Sequence, residues 1–419
     1  MSEMKKPLPD HPLFFLSAGE PSGDIHAARL IEELKKRFPN AGFAGFGGPE
    51  MEKAGCRLLF CLTGLAVMWI GQVIGNIFRF MKLIRQTDRF FREQRPDMVI
   101  LVDYPGFNWK IAAKAKKYGI PVCYFMPPQI WGWAQWRVKK MKRLVDHVLC
   151  CLPFEKKWFQ EHHCDVCLIG HPFLAEIRNR KPETDFLTEL QNRVKAQRKN
   201  TVLTILPGSR NQEVTMNISD MLQAVQQITR QVPDVYPVIA AFKEVHAEWI
   251  RRQLTENSLD IPVYVGRTPE LIHAATCCFS VSGSVSMELL ASLKPTVIYY
   301  RLGKIAWFVM PVFKRVRYIT LVNLIAVDRL ENESAFFPES QWIVPRVPSF
   351  HDQKLMAFPE FMSCKNQSSE AASILVDWLR NSQKRNQRIE LLTEILQETD
   401  FTPNPIQNAA EYIEQTFLQ

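Results

Sequence analysis

A chain of 419 residues is long for one core, so two domains are expected. Its 47% hydrophobic content excludes a disordered polymer. The formal charge of +9 attracts polyanions, whether nucleic acid, anionic lipid or phosphorylated substrate, and by itself selects none of them. Near the N-terminus the apolar run that ends at Ser17 is too short for a signal peptide, and Ile305 to Phe313 is far short of a membrane span. A chain neither exported nor integral is expected. The cysteines have no framework spacing. Cys150-Cys151 and Cys277-Cys278 end apolar runs as packing residues do, and Cys164 and Cys167 form a CxxC with no second pair to complete a zinc site.

In chain order, the first candidate strand, Pro12–Leu16, opens into Ser17-Ala18-Gly19-Glu20-Pro21-Ser22-Gly23-Asp24. Two glycines allow close backbone approach, and the carboxylates and hydroxyls suit a polar ligand. Asp24 is also placed to cap the helix predicted over Asp24–Lys36. The order is not GxGxxG, so the ordinary dinucleotide fingerprint is absent. Gly42–Phe46 leads into a similar turn, Gly47-Gly48-Pro49. Met98–Val102 leads into Asp103-Tyr104-Pro105-Gly106-Phe107-Asn108. A carboxylate directly after a buried strand is easily raised in pKa and suits a general base, although a helix cap or turn residue has the same pattern. Val122–Phe125 precedes Pro127-Pro128-Gln129-Ile130-Trp131-Gly132-Trp133, whose indoles are predicted to wall a sugar or acyl chain rather than to pack in a core. The basic 137–143 segment behind it reads equally as a solvated face or a phosphate or headgroup contact. Val148–Leu152 and Val166–Ile169 follow. His171 comes next, either facing a cleft or buried at a hinge.

The charged stretch Glu176–Asn200 has no strand pattern and is read as a domain junction. Strands resume at Val202–Leu206, Val238–Ala241, Val263–Val265, Cys277–Val281 and Thr296–Tyr300, with a helix predicted over Met216–Gln231. Gly208-Ser209-Arg210 opens a helix, where backbone N–H groups, the helix dipole and a guanidinium fork suit phosphate. Ser282-Gly283-Ser284-Val285-Ser286 repeats the design, with Glu288 one turn on to accept from ribose hydroxyls. Two such loops predict a nucleotide-diphosphate pocket. Alternating apolar strands and helices predict an α/β fold of two doubly wound parallel sheets. The expected domains are 12–175, 200–345, and a helical tail over 351–419 lying back across the first lobe.

Two stretches combine apolar and basic residues. Val67, Met68, Trp69, Ile74 and Phe78 run into Arg79, Lys82, Arg85 and Arg89, and the 301–320 segment carries Trp307 and Phe308 among five basic residues. Together they predict interfacial contact with an anionic membrane, and each alone also fits a core helix with a solvated basic side.

The motifs SAGEPSGD, GFGGPEMEKAG, DYPGFN, PPQIWGW, LPFEKKWF, GHPF, LPGSR, SGSVSMELL and LVNLIA, in this order, resemble the lipid A disaccharide synthase family from about Leu13 to Ala326. The resemblance implies a GT-B fold and an inverting glycosyltransferase, peripheral on the cytoplasmic face of the inner membrane of Gram-negative bacteria. The implied donor is UDP-2,3-diacylglucosamine and the acceptor 2,3-diacylglucosamine 1-phosphate. The products are the β-1,6 lipid A disaccharide 1-phosphate and UDP, with no cofactor or metal. Three departures stand out. Gln72 occupies a usual glutamate position, Gln129-Ile130-Trp131-Gly132-Trp133 stands where SVWAW is common, and SGSVS replaces the commoner SGTAT.

On this reading Asp103 is the base, with Glu20 and Asp24 as rival carboxylates. Ser17, Gly19, Ser22, Asn108, Trp131, Trp133 and His171 contact the acceptor. Gly208, Ser209, Arg210, Ser282, Gly283, Ser284, Ser286, Glu288 and Asn323 hold UDP. Acyl chains follow the 67–84 surface. A homodimer is allowed and no nucleic acid is expected. Two rivals remain: a soluble UDP-sugar epimerase of the same architecture, against which the apolar-basic segments argue, and a nucleic-acid-binding protein, which the paired phosphate loops leave unexplained.

Overall fold

The structure is a computed structural model that describes residues 11–66, 73–329, 335–336, 353, 356–398 and 404–418. The chain divides into two compact units, Met1–Ala175 with Phe401–Gln419, and Glu176–Asp400.

The first unit is built on seven parallel strands: β1 (Leu13–Ala18), β2 (Gly42–Gly47), β3 (Arg57–Cys61), β4 (Met98–Val102), β5 (Val122–Phe125), β6 (His147–Cys150) and β7 (Val166–Leu168). Their order is β3-β2-β1-β4-β5-β6-β7. Every residue of β4 is buried, which is why its sequence, MVILV, is continuously apolar rather than alternating. Aromatic packing closes one face, with Phe15 against Phe91 at 4.8 Å between ring centroids. The helix Pro21–Arg37 starts with proline in its first turn and collects Lys35, Lys36 and Arg37 in its last, as the helix dipole favours.

The second unit holds β8 (Thr201–Leu206), β9 (Val235–Ala241), β10 (Val263–Val265), β11 (Cys277–Ser280), β12 (Thr296–Arg301) and β13 (Glu360–Ser363), in the order β10-β9-β8-β11-β12-β13, all parallel. Helix Asn211–Gln231 lays Val214, Ile218, Met221, Leu222 and Val225 onto this sheet, and Leu375 and Trp378 of helix Ser368–Arg380 join the same core.

Two strands escaped the sequence reading. The sequence of β3, RLLFC, is an edge strand with exposed ends, and that of β13 opens on a glutamate. The junction segment forms a helix, Thr184–Ala196. The 351–419 tail also divides. Strand β13 and helices Ser368–Arg380 and Ser382–Glu398 belong to the second unit, and only helix Pro405–Leu418 packs on the first. Its Phe417 meets Phe14 at 5.4 Å, and Asn408 Nδ2 donates to the Ile169 carbonyl at 3.1 Å.

In each sheet the strand order reverses at one point, between β1 and β4 and between β8 and β11. Ligands of open α/β sheets bind outside the carboxyl ends of the strands at such points. The loops that begin at Ser17, Asp103, Pro207 and Val281 follow these four strands.

Candidate functional site

In the first unit the loop after β4 is held from beneath. Asn108 Nδ2 donates to the carbonyls of Ser17, Val102 and Asp103, at 3.2, 3.1 and 2.8 Å, and its Oδ1 accepts from Ser17 Oγ at 2.7 Å. The Tyr124 hydroxyl donates to the Asp103 carbonyl at 2.7 Å. Asp103 and Tyr104 both take left-handed backbone, at φ 41° and 44°, a strained pair for residues with side chains. Gly19 is required where it stands, because a Cβ there would overlap the Tyr104 ring. The network fixes the backbone that carries the Asp103 carboxyl. Burial first, then the charge of Glu20, raises the Asp103 pKa above the ordinary carboxylate value, against a hydrogen bond from the Tyr104 backbone.

Ser17 and Asn108 are therefore buried frame residues, with their polar atoms already engaged with each other. Glu20 and Ser22 are exposed at the start of helix Pro21–Arg37. Asp24 lies inside that helix rather than at its cap. It is buried and accepts from the backbone N–H groups of Gly48, Glu50 and Met51, so it caps the short helix Pro49–Lys53 instead. This also explains the second glycine turn: Gly48 brings its N–H against that carboxylate.

The two loop tryptophans separate. Trp133 is 45% exposed, with the Arg137 guanidinium 4.6 Å from its ring centre. Trp131 is a core residue, contrary to expectation. Its ring meets Phe154 edge-on at 4.9 Å and its Nε1 donates to Glu155 at 3.0 Å. A large ring packs well once its one polar atom has a partner. Glu155 also accepts from the Cys151 and Leu152 backbone, and burial pushes its pKa up to about 7. His171 is partly buried, with Nδ1 enclosed and without a partner among the described residues, and burial, with His26 second, lowers its pKa to about 4.

In the second unit Gly208 sits at φ +127°, where a Cβ would crowd that of Glu213. The Ser209 and Arg210 N–H groups do not stand open as expected. Glu213 Oε2 accepts both, at 3.1 and 3.2 Å, and the Arg210 guanidinium rests on Oε1 at 3.2 Å. A glutamate at the third helical position closes a capping box. The Arg210 side chain is 82% exposed.

In the neighbouring loop Gly283 and Ser284 are exposed, and Ser282 Oγ donates to the Ile319 carbonyl at 3.2 Å. Ser286 is buried and bonded to the Gly283 carbonyl. Glu288 is raised in pKa by burial and pairs with Arg180 at 3.0 Å. Asn323 lies in the interior rather than on a ligand surface. Its amide donates to the Phe358 carbonyl and to Glu360, and accepts from the Phe358 N–H. Glu360, also taking the Ile319 and Thr320 N–H groups, ties that segment to β13.

Of the apolar-basic stretches, Val67, Met68, Trp69 and Gln72 lie outside the described residues, as does the side chain of Ile74. Helix Val73–Gln94 exposes 72% of Phe78, and helix Lys304–Phe313 exposes 82% of Ile305 and 78% of Phe308, with Trp307 half-buried. No described helix is long and apolar enough to cross a membrane.

Sequence reasoning missed Glu155, Glu213 and Glu360. The first two carried a signal, a glutamate at the third position of a helix after a turn. Glu360 carried none.

The family model described as Lipid-A-disaccharide synthetase matches residues 14–341. A lipid-A-disaccharide synthase of Myxococcus xanthus is 33% identical over 323 residues, 77% of this chain and 83% of its own length. That of Alcanivorax borkumensis is 34% identical over 325 residues, 77% and 84% of the two chains. Among solved structures, a glycosyltransferase of Rickettsia africae aligns over 98% of this chain and 99% of its own at a TM-score of 0.56 and 10% identity. A UDP-GlcNAc 2-epimerase of Neisseria meningitidis bound to UDP-GlcNAc aligns over 97% and 99% at 0.54 and 12%. These two likenesses speak for the fold alone, GT-B. With the family model spanning most of the chain and relatives a third identical over most of their own length, the chain belongs to the lipid-A-disaccharide synthase family.

Proposed function

We propose that this glycosyltransferase of lipid A biosynthesis joins UDP-2,3-diacylglucosamine to 2,3-diacylglucosamine 1-phosphate, with inversion at the anomeric carbon. The observation that carries the reading is the Asp103 carboxyl, presented by a strained loop at the end of β4 and raised in pKa by burial. Asp103 takes the proton from the acceptor 6-hydroxyl. That oxygen bonds to the donor's anomeric carbon, and the bond from that carbon to the UDP oxygen breaks, its electrons leaving with UDP. Arg210, turning from Glu213, and the exposed Ser209 and Ser284 meet the charge that grows on the diphosphate. Glu288 and Arg180 bracket the ribose, and Ser22 faces the acceptor's sugar phosphate.

The exposed Phe78, Ile305 and Phe308 support peripheral attachment to an anionic membrane, on its cytoplasmic face. Co-sedimentation should favour anionic over neutral vesicles and weaken with salt, and equal binding to both would remove this part. The reaction itself is tested by UDP release from UDP-2,3-diacylglucosamine with and without acceptor. Acceptor-dependent release with a β-linked disaccharide 1-phosphate is expected. Equal release without acceptor, or an α linkage, would overturn it.

A further inference from the structure

The basic 137–143 segment of the first unit has no part in the roles above. From Tyr104 to Val145 the sequence carries nine lysines and arginines and no aspartate or glutamate. Two helices occupy most of that stretch, Pro105–Lys117 and Val138–Leu144. Lys114 and Lys117 pair with Asp88, and Lys116 pairs with Asp146. Arg137, Lys139, Lys140, Lys142 and Arg143 have no carboxylate partner among the described residues. Helix Val138–Leu144 turns Val138, Met141 and Leu144 inward, which leaves Lys139, Lys142 and Arg143 exposed.

A solvated helix face would explain those charges but not what stands beside them. Trp133 and Trp136 are both exposed, the latter to 58%, with their rings edge-on at 6.4 Å. The Arg137 guanidinium lies 4.6 and 6.0 Å from the two ring centres. Exposed indoles beside exposed cations are the side chains of a bilayer interface, where rings sit among headgroups and cations meet lipid phosphate. The position agrees. Phe107 of helix Pro105–Lys117 meets Phe80 of helix Val73–Gln94 at 5.5 Å, and Lys140 lies 5.8 Å from the Trp109 ring centre. Helix Pro105–Lys117 thus joins the basic segment to the helix that exposes Phe78, and it starts directly after the Asp103-Tyr104 turn.

We propose that the 133–143 face docks on anionic phospholipid and gives the membrane attachment its headgroup selectivity. The inference rests on the attachment proposed above and adds the charge that it lacks. Phe78, Ile305 and Phe308 are apolar and do not distinguish one headgroup from another, whereas unpaired cations do.

The test titrates two kinds of vesicle, phosphatidylcholine alone and equal parts phosphatidylcholine and phosphatidylglycerol. Wild type is compared with the triple variant Lys139→Gln, Lys142→Gln, Arg143→Gln. All three positions are exposed, so the variant folds, and its turnover of detergent-dispersed substrates should match wild type. Affinity for the anionic vesicles should fall about fivefold per charge removed, as for about 1 kcal/mol each, and roughly a hundredfold in all. Affinity for neutral vesicles should stay. Trp136→Ala should weaken binding to both kinds alike. A triple variant that keeps the wild-type preference for anionic vesicles overturns this face and leaves attachment through Phe78, Ile305 and Phe308 standing. A wild type that binds both kinds equally overturns both readings. Tighter binding to duplex DNA than to anionic vesicles at equal phosphate, lost in the triple variant, makes the face a nucleic-acid site and overturns the proposal.

Discussion

The loops after β4 and β8 each follow a strand at the point where its sheet's strand order reverses, yet they are held in opposite ways. The first is fastened from inside: Asn108, Ser17 and Tyr124 fix the Asp103 backbone through buried hydrogen bonds and hold it in a left-handed turn. The second is fastened, among the described residues, by its own helix. Glu213 caps it, and Arg210 reaches out mostly exposed. A proton acceptor must stand within hydrogen-bond reach of one hydroxyl, so a rigid support suits it. A long guanidinium gripping a diphosphate needs reach more than rigidity.

The largest effect should come from Asp103→Asn. It keeps shape and left-handed backbone, which asparagine tolerates, and removes the proton acceptor. The rate constant kcat should fall by about 10²–10⁴-fold. The same variant should be more stable near neutral pH. Because the folded pKa of Asp103 is raised, its ionised form opposes folding. That cost is absent below the unfolded value, builds up between it and the raised folded value, and is complete above the latter. Chemical denaturation at pH 7 checks the sign, and a less stable Asp103→Asn would show that the carboxylate supports the loop instead.

Asn108→Ala attacks the fastening itself. Leaving several buried carbonyls and the Ser17 hydroxyl short of partners should cost about 3 kcal/mol of stability, read by the same denaturation, with kcat reduced and UDP affinity kept. A loss under about 0.5 kcal/mol, as at an ordinary surface position, would mean that the loop is held by something else.

The smallest effect belongs to Glu20→Gln. Glu20 contributes to the raised Asp103 pKa by its charge, so its removal should move the acid limb of kcat/KM to lower pH, with the plateau little changed. An acid limb that stays in place would detach it from Asp103.

Much of this contrast was legible in the sequence. Continuous apolar runs marked eleven of the strands, and a carboxylate after MVILV and a glycine loop after VLTIL marked both loops. What the sequence hid was which polar side chains look inward. Asp24, Asn108, Trp131 and Asn323 carry polar atoms suited to a ligand, and the fold uses them on groups distant in sequence: Asp24 on the Gly48 backbone, Asn108 on Ser17, Trp131 on the Glu155 carboxylate, Asn323 on the Phe358 backbone. Residue type and local spacing cannot distinguish a polar atom facing a ligand from one facing a distant N–H. Helix capping shows in local spacing, as with Glu213, whereas the link between Glu360 and Thr320 crosses forty residues and leaves no such trace.

The division of labour between the two loops is tested most directly by titrating UDP into Arg210→Ala and Asp103→Asn by calorimetry, beside wild type. Arg210→Ala should weaken UDP binding by about 2 kcal/mol, roughly thirtyfold, with little change in stability, because its exposed pair with Glu213 contributes little to folding. Asp103→Asn should bind UDP as wild type does. Unchanged UDP affinity in folded Arg210→Ala, or a comparable loss in Asp103→Asn, would contradict the assignment of UDP to the second unit and of the base to the first.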